Sequence, residues 1–352
     1  MQNAIAERAF PGASVAVIHQ GSLIVRNAVG QSTYSQDEPR RTFFDISPET
    51  AFDLASLTKV IATTTMAMLL YERGVLDLDA PLGAIVPEFL SRASNDERRR
   101  EVTIRALLAH ASGLPAYEKL FLRTRTRDEL LNAAFAVPLT ADPGVRAEYS
   151  DIGFILLGVA LERLADESLD RFCQREIFAP LGMAGTGFNP PQSARPSIPP
   201  TQDDRSFRHR IIQGEVQDEN ASVLGGVAPH AGLFSNAPDL ANFAEAMLRA
   251  RAPGGFFRPE TIALFTRRQT VPSDTSRALG WDTPSAPSQS GKYFSEHSFG
   301  HLGYTGTSLW IDGEREVAIV FLTNRTWPDC SNQAIKQVRP QFHDAVMSEI
   351  QS

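Results

Sequence analysis

The stretch Phe52-Asp53-Leu54-Ala55-Ser56-Leu57-Thr58-Lys59-Val60-Ile61 decides how this chain is read. From Val60 to Leu70 nearly every residue is apolar or small, so a helix there has no polar face and must be buried. A buried ammonium is costly unless it finds a partner or gives up its proton. Lysine is also scarce: Lys59, Lys119, Lys292 and Lys336 are the only four among 34 basic residues. Ser56 stands three residues before Lys59, the spacing that puts two helical side chains on one face. A hydroxyl at a helix N-terminus with a desolvated amine one turn later is an activated nucleophile. The amine takes the hydroxyl proton and the helix dipole favours the oxyanion that develops. The spacing alone also fits a serine cap with a snorkelling lysine, so other pieces must decide.

Two further segments carry chemistry. Tyr149-Ser150-Asp151 follows the turn Asp142-Pro143-Gly144 and precedes the apolar run Ile152 to Gly158, a placement from which a phenol can point into a cleft or simply cap the core. His301-Leu302-Gly303-Tyr304-Thr305-Gly306-Thr307-Ser308 leads into a strand, and its small residues let backbone approach a ligand closely. His297 and His301 form an HxxxH, but Gly300 and Gly303 argue against the helix a metal site would need there, so no metal and no cofactor is expected.

Phe52 to Lys59, Tyr149-Ser150-Asp151 and His301-Leu302-Gly303, in this order, resemble the Ser-x-x-Lys, Tyr-x-Asn and Lys-Thr-Gly motifs of the serine β-lactamase and DD-peptidase superfamily. That group includes class C β-lactamases, R61-type DD-carboxypeptidases, penicillin-binding proteins and family VIII esterases. Leu107 to Pro115 and Gly225-Gly226 with His230 to Ser235 resemble it too, so the likeness spans nearly the whole chain. The resemblance implies Ser56 as the acylated nucleophile, Lys59 as its base and Tyr149 as the proton shuttle. It implies an oxyanion hole from the backbone N–H groups of Ser56 and Tyr304, with Asp151, His301, Leu302 and Gly303 supporting the site or binding substrate. His230, in a glycine-flanked loop, reads either as lining the cleft in that supporting set or as bracing the loop. Two departures bear on substrate. Asp151 replaces an asparagine, which removes a donor and favours a charged Lys59. His301 and Leu302 replace lysine and threonine, which removes a fixed cation and a hydroxyl that would hold a substrate carboxylate. Both point to a neutral ester or amide.

Outward from these motifs, the pattern is α+β. Ser14 to Ile18 with Ser22 to Val29, and Ser308 to Asp312 with Glu316 to Thr323, read as antiparallel hairpins at the two ends. The helical candidates lie between them, apart from a C-terminal helix over Gln333 to Ile350. The expected architecture is one antiparallel sheet built from the N- and C-terminal segments, flanked by helices, with an inserted, mostly helical lobe. Within a single composite domain over 1–352, the α/β lobe takes about 1–55 and 250–352, the helical lobe about 75–245, and the nucleophile helix 56–73 lies between them. Residues 189–222, opening with Pro190, Pro191, Pro196, Pro199 and Pro200, are expected as a long surface loop.

Composition excludes several classes. The 352 residues are 42% hydrophobic and carry a net charge of −7, so a sizeable core is available and nothing draws in a polyanion such as nucleic acid. The basic run Arg98 to Arg100 lies beside Asp96 and Glu97 and reads as a solvated helix face. No apolar stretch approaches the roughly 18 residues of a membrane span. The first residues lack a signal-peptide pattern, so the expected location is cytoplasmic as the chain stands, and periplasmic or secreted if a signal was trimmed. Cys173 and Cys330 have no CxxC spacing and read as packing residues. His110 reads as a structural residue bonded to the turn at Ser112-Gly113, and Asp218-Glu219-Asn220 as loop hydrogen bonding. The expected partner is a small ester, amide or β-lactam. The expected activity is an esterase-like serine acyl hydrolase, with a β-lactamase or D-alanyl-D-alanine carboxypeptidase as the alternative and a non-catalytic sensor on the same fold as the alternative of another class.

Overall fold

The computed structural model describes residues 1–34, 43–92, 95–250 and 254–351. Its strands, in chain order, are β1 (Gly12–His19), β2 (Ser22–Gly30), β3 (Phe52–Asp53), β4 (Gly187–Phe188), β5 (Pro200–Asp204), β6 (Arg210–Gln213), β7 (Leu233–Ser235), β8 (Phe299–Leu302), β9 (Ser308–Asp312) and β10 (Val317–Thr323). Five of them form an antiparallel sheet ordered β2-β1-β10-β9-β8, so the first two strands join the last three, as the sequence pattern predicts. The β1–β2 hairpin closes through Gln20 and Gly21, both at positive φ, the tight turn whose twist matches paired strands.

β1 and β10 are buried along almost their whole length and read as continuous apolar runs, because helices cover both faces of the sheet. Ala16, Ile18, Ala318, Val320 and Leu322 belong to the main core, which includes helix Ala237–Arg249. Val17, Val317 and Ile319 pack with Met347, and Ala13, Val15 and Phe321 with Ile335; both partners lie on the C-terminal helix Ile335–Gln351. The apolar helix Asp151–Ala165 is buried from Ile152 through Leu161 and belongs to the same main core.

Three expectations need correction. The segment 189–222 is not a bare loop: it holds a hairpin of β5 and β6 and a short helix, Glu219–Val223. The prolines hid the hairpin, and Pro200 can open β5 because a first strand residue need not donate to the ladder. The Arg98–Arg100 run is solvated at Arg98 and Arg100, which pair with Asp96 and Glu97, but not at Arg99, which is fully buried, lies over the Phe89 ring, and donates to the carbonyls of Phe89 and Val137 at 2.8 Å each. Cys173 is a packing residue, but Cys330 is exposed.

Candidate active site

Ser56 lies in a single 3-10 turn, Ala55–Leu57, and Lys59 opens a π-helical segment, Lys59–Thr64, before the regular helix Thr65–Glu72 begins. In a 3-10 turn positions i and i+3 eclipse, so the local distortion aligns the amine with the hydroxyl more closely than an α-helix would. Lys59 is fully buried, and its Nζ donates to Ser56 Oγ at 3.1 Å and to the His230 carbonyl at 3.0 Å. Its third neighbour is Asp151 Oδ1 at 2.6 Å, an ion pair.

The turn before Ser56 is strained and braced. Ala55 has φ +47°, a left-handed conformation that costs a non-glycine residue energy, and its N–H is held by Asp53 Oδ1 at 2.8 Å. Asp53 Oδ2 accepts from Gln217 N at 2.7 Å, which ties the same turn to the loop ahead of helix Glu219–Val223. The third motif is clamped to this turn from the other side: Thr305 Oγ1 donates to Asp53 O at 2.7 Å and Thr307 Oγ1 to Leu54 O at 3.0 Å. Gly303 is required there, since a Cβ would stand 1.9 Å from Thr307 Oγ1 and 2.5 Å from Leu54 O.

Tyr149 immediately precedes Ser150, the cap of helix Asp151–Ala165, whose Oγ accepts from Gly153 N at 2.9 Å. Its ring lies between His110 and His301, with centroids 4.6 and 5.7 Å away, and Lys59 Nζ sits 4.8 Å from its centroid. His110 is structural, through different atoms from those its sequence suggests: Nδ1 accepts the Ser150 N–H at 3.0 Å, which fixes the backbone beside the tyrosine. His230 lines the cleft and braces it at once, its Nε2 lying 2.9 Å from Asp218 Oδ1. Leu302 ends β8, Gly303 follows it, and both line the cleft with His301.

Ser56, Tyr149 and Tyr304 border two adjoining cavities, of about 480 and 400 Å³. Asp151, Asp203, Asp218, Glu219, Asp329 and Cys330 line the first. The second holds Arg277, Arg325, Lys336 and Arg339. A larger hollow of about 660 Å³ beside β4 and β7 contains none of the motif residues.

A scan of family models matches residues 1–339 to Beta-lactamase. The chain belongs to that family. It is 33% identical over 347 residues to the N-acetylmuramyl-L-alanine amidase of Bacillus subtilis, with 90% of this chain and 77% of that protein covered. It is 30% identical over 364 residues to a Salmonella typhimurium protein provisionally named a D-alanyl-D-alanine carboxypeptidase, covering 95% of this chain and 83% of that one. Among solved structures, EstCE1, described as a hydrolase with promiscuous acyltransferase activity, matches with a TM-score of 0.74 at 22% identity over 96% of both chains. The fold is therefore that of the β-lactamase and transpeptidase group, and this Beta-lactamase-family chain is an enzyme of the serine hydrolase and acyl transferase class.

The electrostatics of this Beta-lactamase-family site follow from burial and pairing. Burial pushes the Lys59 ammonium toward the neutral amine, but the Asp151 carboxylate, with Tyr149, outweighs it and holds the pKa above the ordinary lysine value. The resting lysine is charged. Burial likewise raises the Tyr149 phenol, which stays protonated although Lys59 opposes the shift. Burial first, and then Arg277 and Lys59, keep His301 neutral, with its pKa well below the ordinary range. Asp53 is pushed up to about 6, chiefly by burial. The motif-level view misses Asp53, Arg277, Arg325 and Arg339. Asp53 lies inside the opening stretch, but its role depends on Gln217, 164 residues away. The arginines belong to an abundant residue type and carry no local pattern.

Among the described residues no helix is long and apolar enough to cross a membrane.

Proposed function

We propose that the enzyme is an acyl-enzyme hydrolase of small esters or amides, with Ser56 as nucleophile, Lys59 as its base and Tyr149 as proton shuttle. The observation that carries this reading is the Lys59 amine 3.1 Å from the Ser56 hydroxyl, beside the Tyr149 ring and at the junction of two cavities. Reaction begins from the fraction of enzyme in which Lys59 is a free amine. It takes the Ser56 proton as Oγ bonds to the acyl carbon, and the proton reaches the leaving oxygen or nitrogen through Tyr149. Water then retraces the path and releases the acid. The N–H groups of Ser56 and Tyr304 receive the oxyanion, and Asp151 and His230 O hold the amine in place. The leading substrates are aryl or alkyl esters. A second reading, an amide or β-lactam of the cell-wall type, is supported by the names of the amidase and carboxypeptidase relatives.

Intact-mass spectrometry after exposure to a panel of esters, D-amino amides and penicillins tests both. An acyl adduct on the wild-type enzyme that is missing from Ser56→Ala supports the acyl-enzyme, and the added mass names the donor class. Ester hydrolysis that persists in Ser56→Ala sinks it.

A further inference from the structure

Asp203, Asp218, Glu219 and Asp329 line the first of the two cavities at Ser56, and no lysine or arginine does. Among the described residues the only basic group paired with Asp218 is His230, and none pairs with Glu219. Arg208, whose charge reaches Glu219, is itself paired with Asp204 at 2.8 Å and donates to the carbonyls of Val216 and Gln217 at 2.7 and 2.6 Å. Asp203 has Arg205, but that side chain is 88% exposed and its charge is screened by solvent. The surplus of negative charge acts on its neighbours. Burial first, and then Asp218, raises the Glu219 carboxyl, and burial with Asp218 and Glu219 raises the Tyr117 phenol, which lines the same cavity.

Two buried atoms of the same wall have no partner. His230 is 1% exposed; its Nε2 lies 2.9 Å from Asp218 Oδ1 and its Nδ1 bonds nothing among the described residues. Burial opposes ionisation of Asp218, but His230 and the Ala221 N–H at 2.7 Å outweigh it and keep it a carboxylate. A carboxylate only accepts, so in the neutral ring the proton sits on Nε2 and Nδ1 is a free lone pair. Thr326 Oγ1, also 1% exposed, lines the cavity and is likewise unpartnered. Buried polar atoms without partners are costly, and here they accompany a charge without a counter-charge.

The group that answers both deficits is positive and carries several N–H donors, which a protonated amine does. A hydroxyl-rich group would supply donors and leave the charge uncancelled. Among the described residues no three His, Cys, Asp or Glu side chains are placed to hold a metal ion, so the cation that fits is one carried on a carbon frame. We infer that the cavity walled by Asp218, Glu219 and His230 binds a primary ammonium, so that the part of the substrate lying on that side of Ser56 carries a protonated amine. This rests on the acyl-hydrolase reading, and it replaces the sequence expectation of an uncharged substrate.

The test uses two ester pairs, each setting an amine against a hydroxyl of the same reach. One places the group in the acyl part, p-nitrophenyl 6-aminohexanoate against p-nitrophenyl 6-hydroxyhexanoate. The other places it in the leaving group, 3-(aminomethyl)phenyl acetate against 3-(hydroxymethyl)phenyl acetate. In at least one pair the ratio of kcat/KM, amine over hydroxyl, falls at least about tenfold on Asp218→Asn, which keeps an oxygen for His230 and Ala221 and removes the charge. The ratio is internal to each preparation, so a general loss of activity or of folded enzyme cancels. A smaller fall in both pairs overturns the inference. Should Asp218→Asn fail to fold, benzylamine against benzyl alcohol decides with Ser56→Ala protein: stabilisation against thermal unfolding by benzylamine alone supports the subsite, and any other pattern overturns it. That readout needs no turnover, so it decides the subsite even if no ester is hydrolysed and the acyl-hydrolase reading itself fails.

Discussion

Lys59 and Arg339 are both buried cations in the walls of one cleft, and they differ in company. Lys59 has a carboxylate at 2.6 Å and its pKa is raised; Arg339 has neutral acceptors only and its pKa falls to about 9. A cation that the fold has already neutralised is a working part, since its charge is settled before substrate arrives. A cation left with neutral acceptors only is a cost that the rest of the fold has to cover.

The comparison can be broken most sharply on the paired side. Lys59→Met removes the proposed base and leaves Asp151 without its cation; kcat/KM should fall by about a thousandfold or more, measured on an aryl ester, with a fluorophosphonate label on Ser56 slowed in parallel. A loss under about tenfold would mean that another group takes the serine proton. Next in size, Gly303→Ala should cost about a hundredfold in activity, because its Cβ would collide with Thr307 Oγ1 and the Leu54 carbonyl and push the third motif off the Ser56 turn. Normal kinetics in that variant would show that the clamp is not needed.

Asp151→Asn sharpens the comparison by making Lys59 resemble Arg339. With the anion gone, burial dominates and the lysine pKa falls. The wild-type rate should rise with pH toward the alkaline range as the raised Lys59 pKa is approached, and the rising limb of the Asp151→Asn profile should move to lower pH. An unmoved limb would separate Lys59 from the titration that controls the rate.

The smallest effect concerns Asp53. Its folded pKa of about 6 lies above the unfolded value of 3.8, so the folded state binds the extra proton between those two values. Its contribution to stability is therefore least favourable above pH 6 and improves as pH falls toward 4. Asp53→Asn should abolish that slope in a pH series of melting temperatures. At pH 7.5 the loss of the two-oxygen acceptor shared by the Ala55 and Gln217 N–H groups opposes the relief of a buried charge, so the net change should stay within about 1–3 kcal/mol and grow more costly as pH falls. A pH slope that survives the substitution would assign it to another group.

The fold was legible because its signals are local: apolar β-rich runs at both ends, joined by short turns, and an apolar helix beginning near Ser56. The spacing of Ser56 and Lys59 allowed their pairing and the other two motifs decided it, although the turn that aligns them is tighter than the helix that spacing assumes. The segment after Asn189 hid its hairpin behind prolines. Arg99 looked solvated because neighbouring charges say nothing about where each side chain points. The arginine wall was illegible for a similar reason: Arg325 and Arg339 are brought to Ser56 only by the closure of the sheet and the docking of the last helix. Sequence therefore registered which third-motif cation was missing, with no means of seeing that Arg325 and Arg339 line the same cavity as Ser56.

The sheet order has a consequence for synthesis. β1 pairs with β10, Ala13 opposite Thr323, so the first strand to leave the ribosome waits for a partner made about three hundred residues later. Chains that terminate before β8 carry Ser56 and Lys59 but lack Tyr304, whose N–H is proposed for the oxyanion, and the arginines of the second cavity. Prematurely ended or clipped chains of this enzyme are therefore expected to be inactive, which ester hydrolysis by a chain ending before Phe299 would contradict.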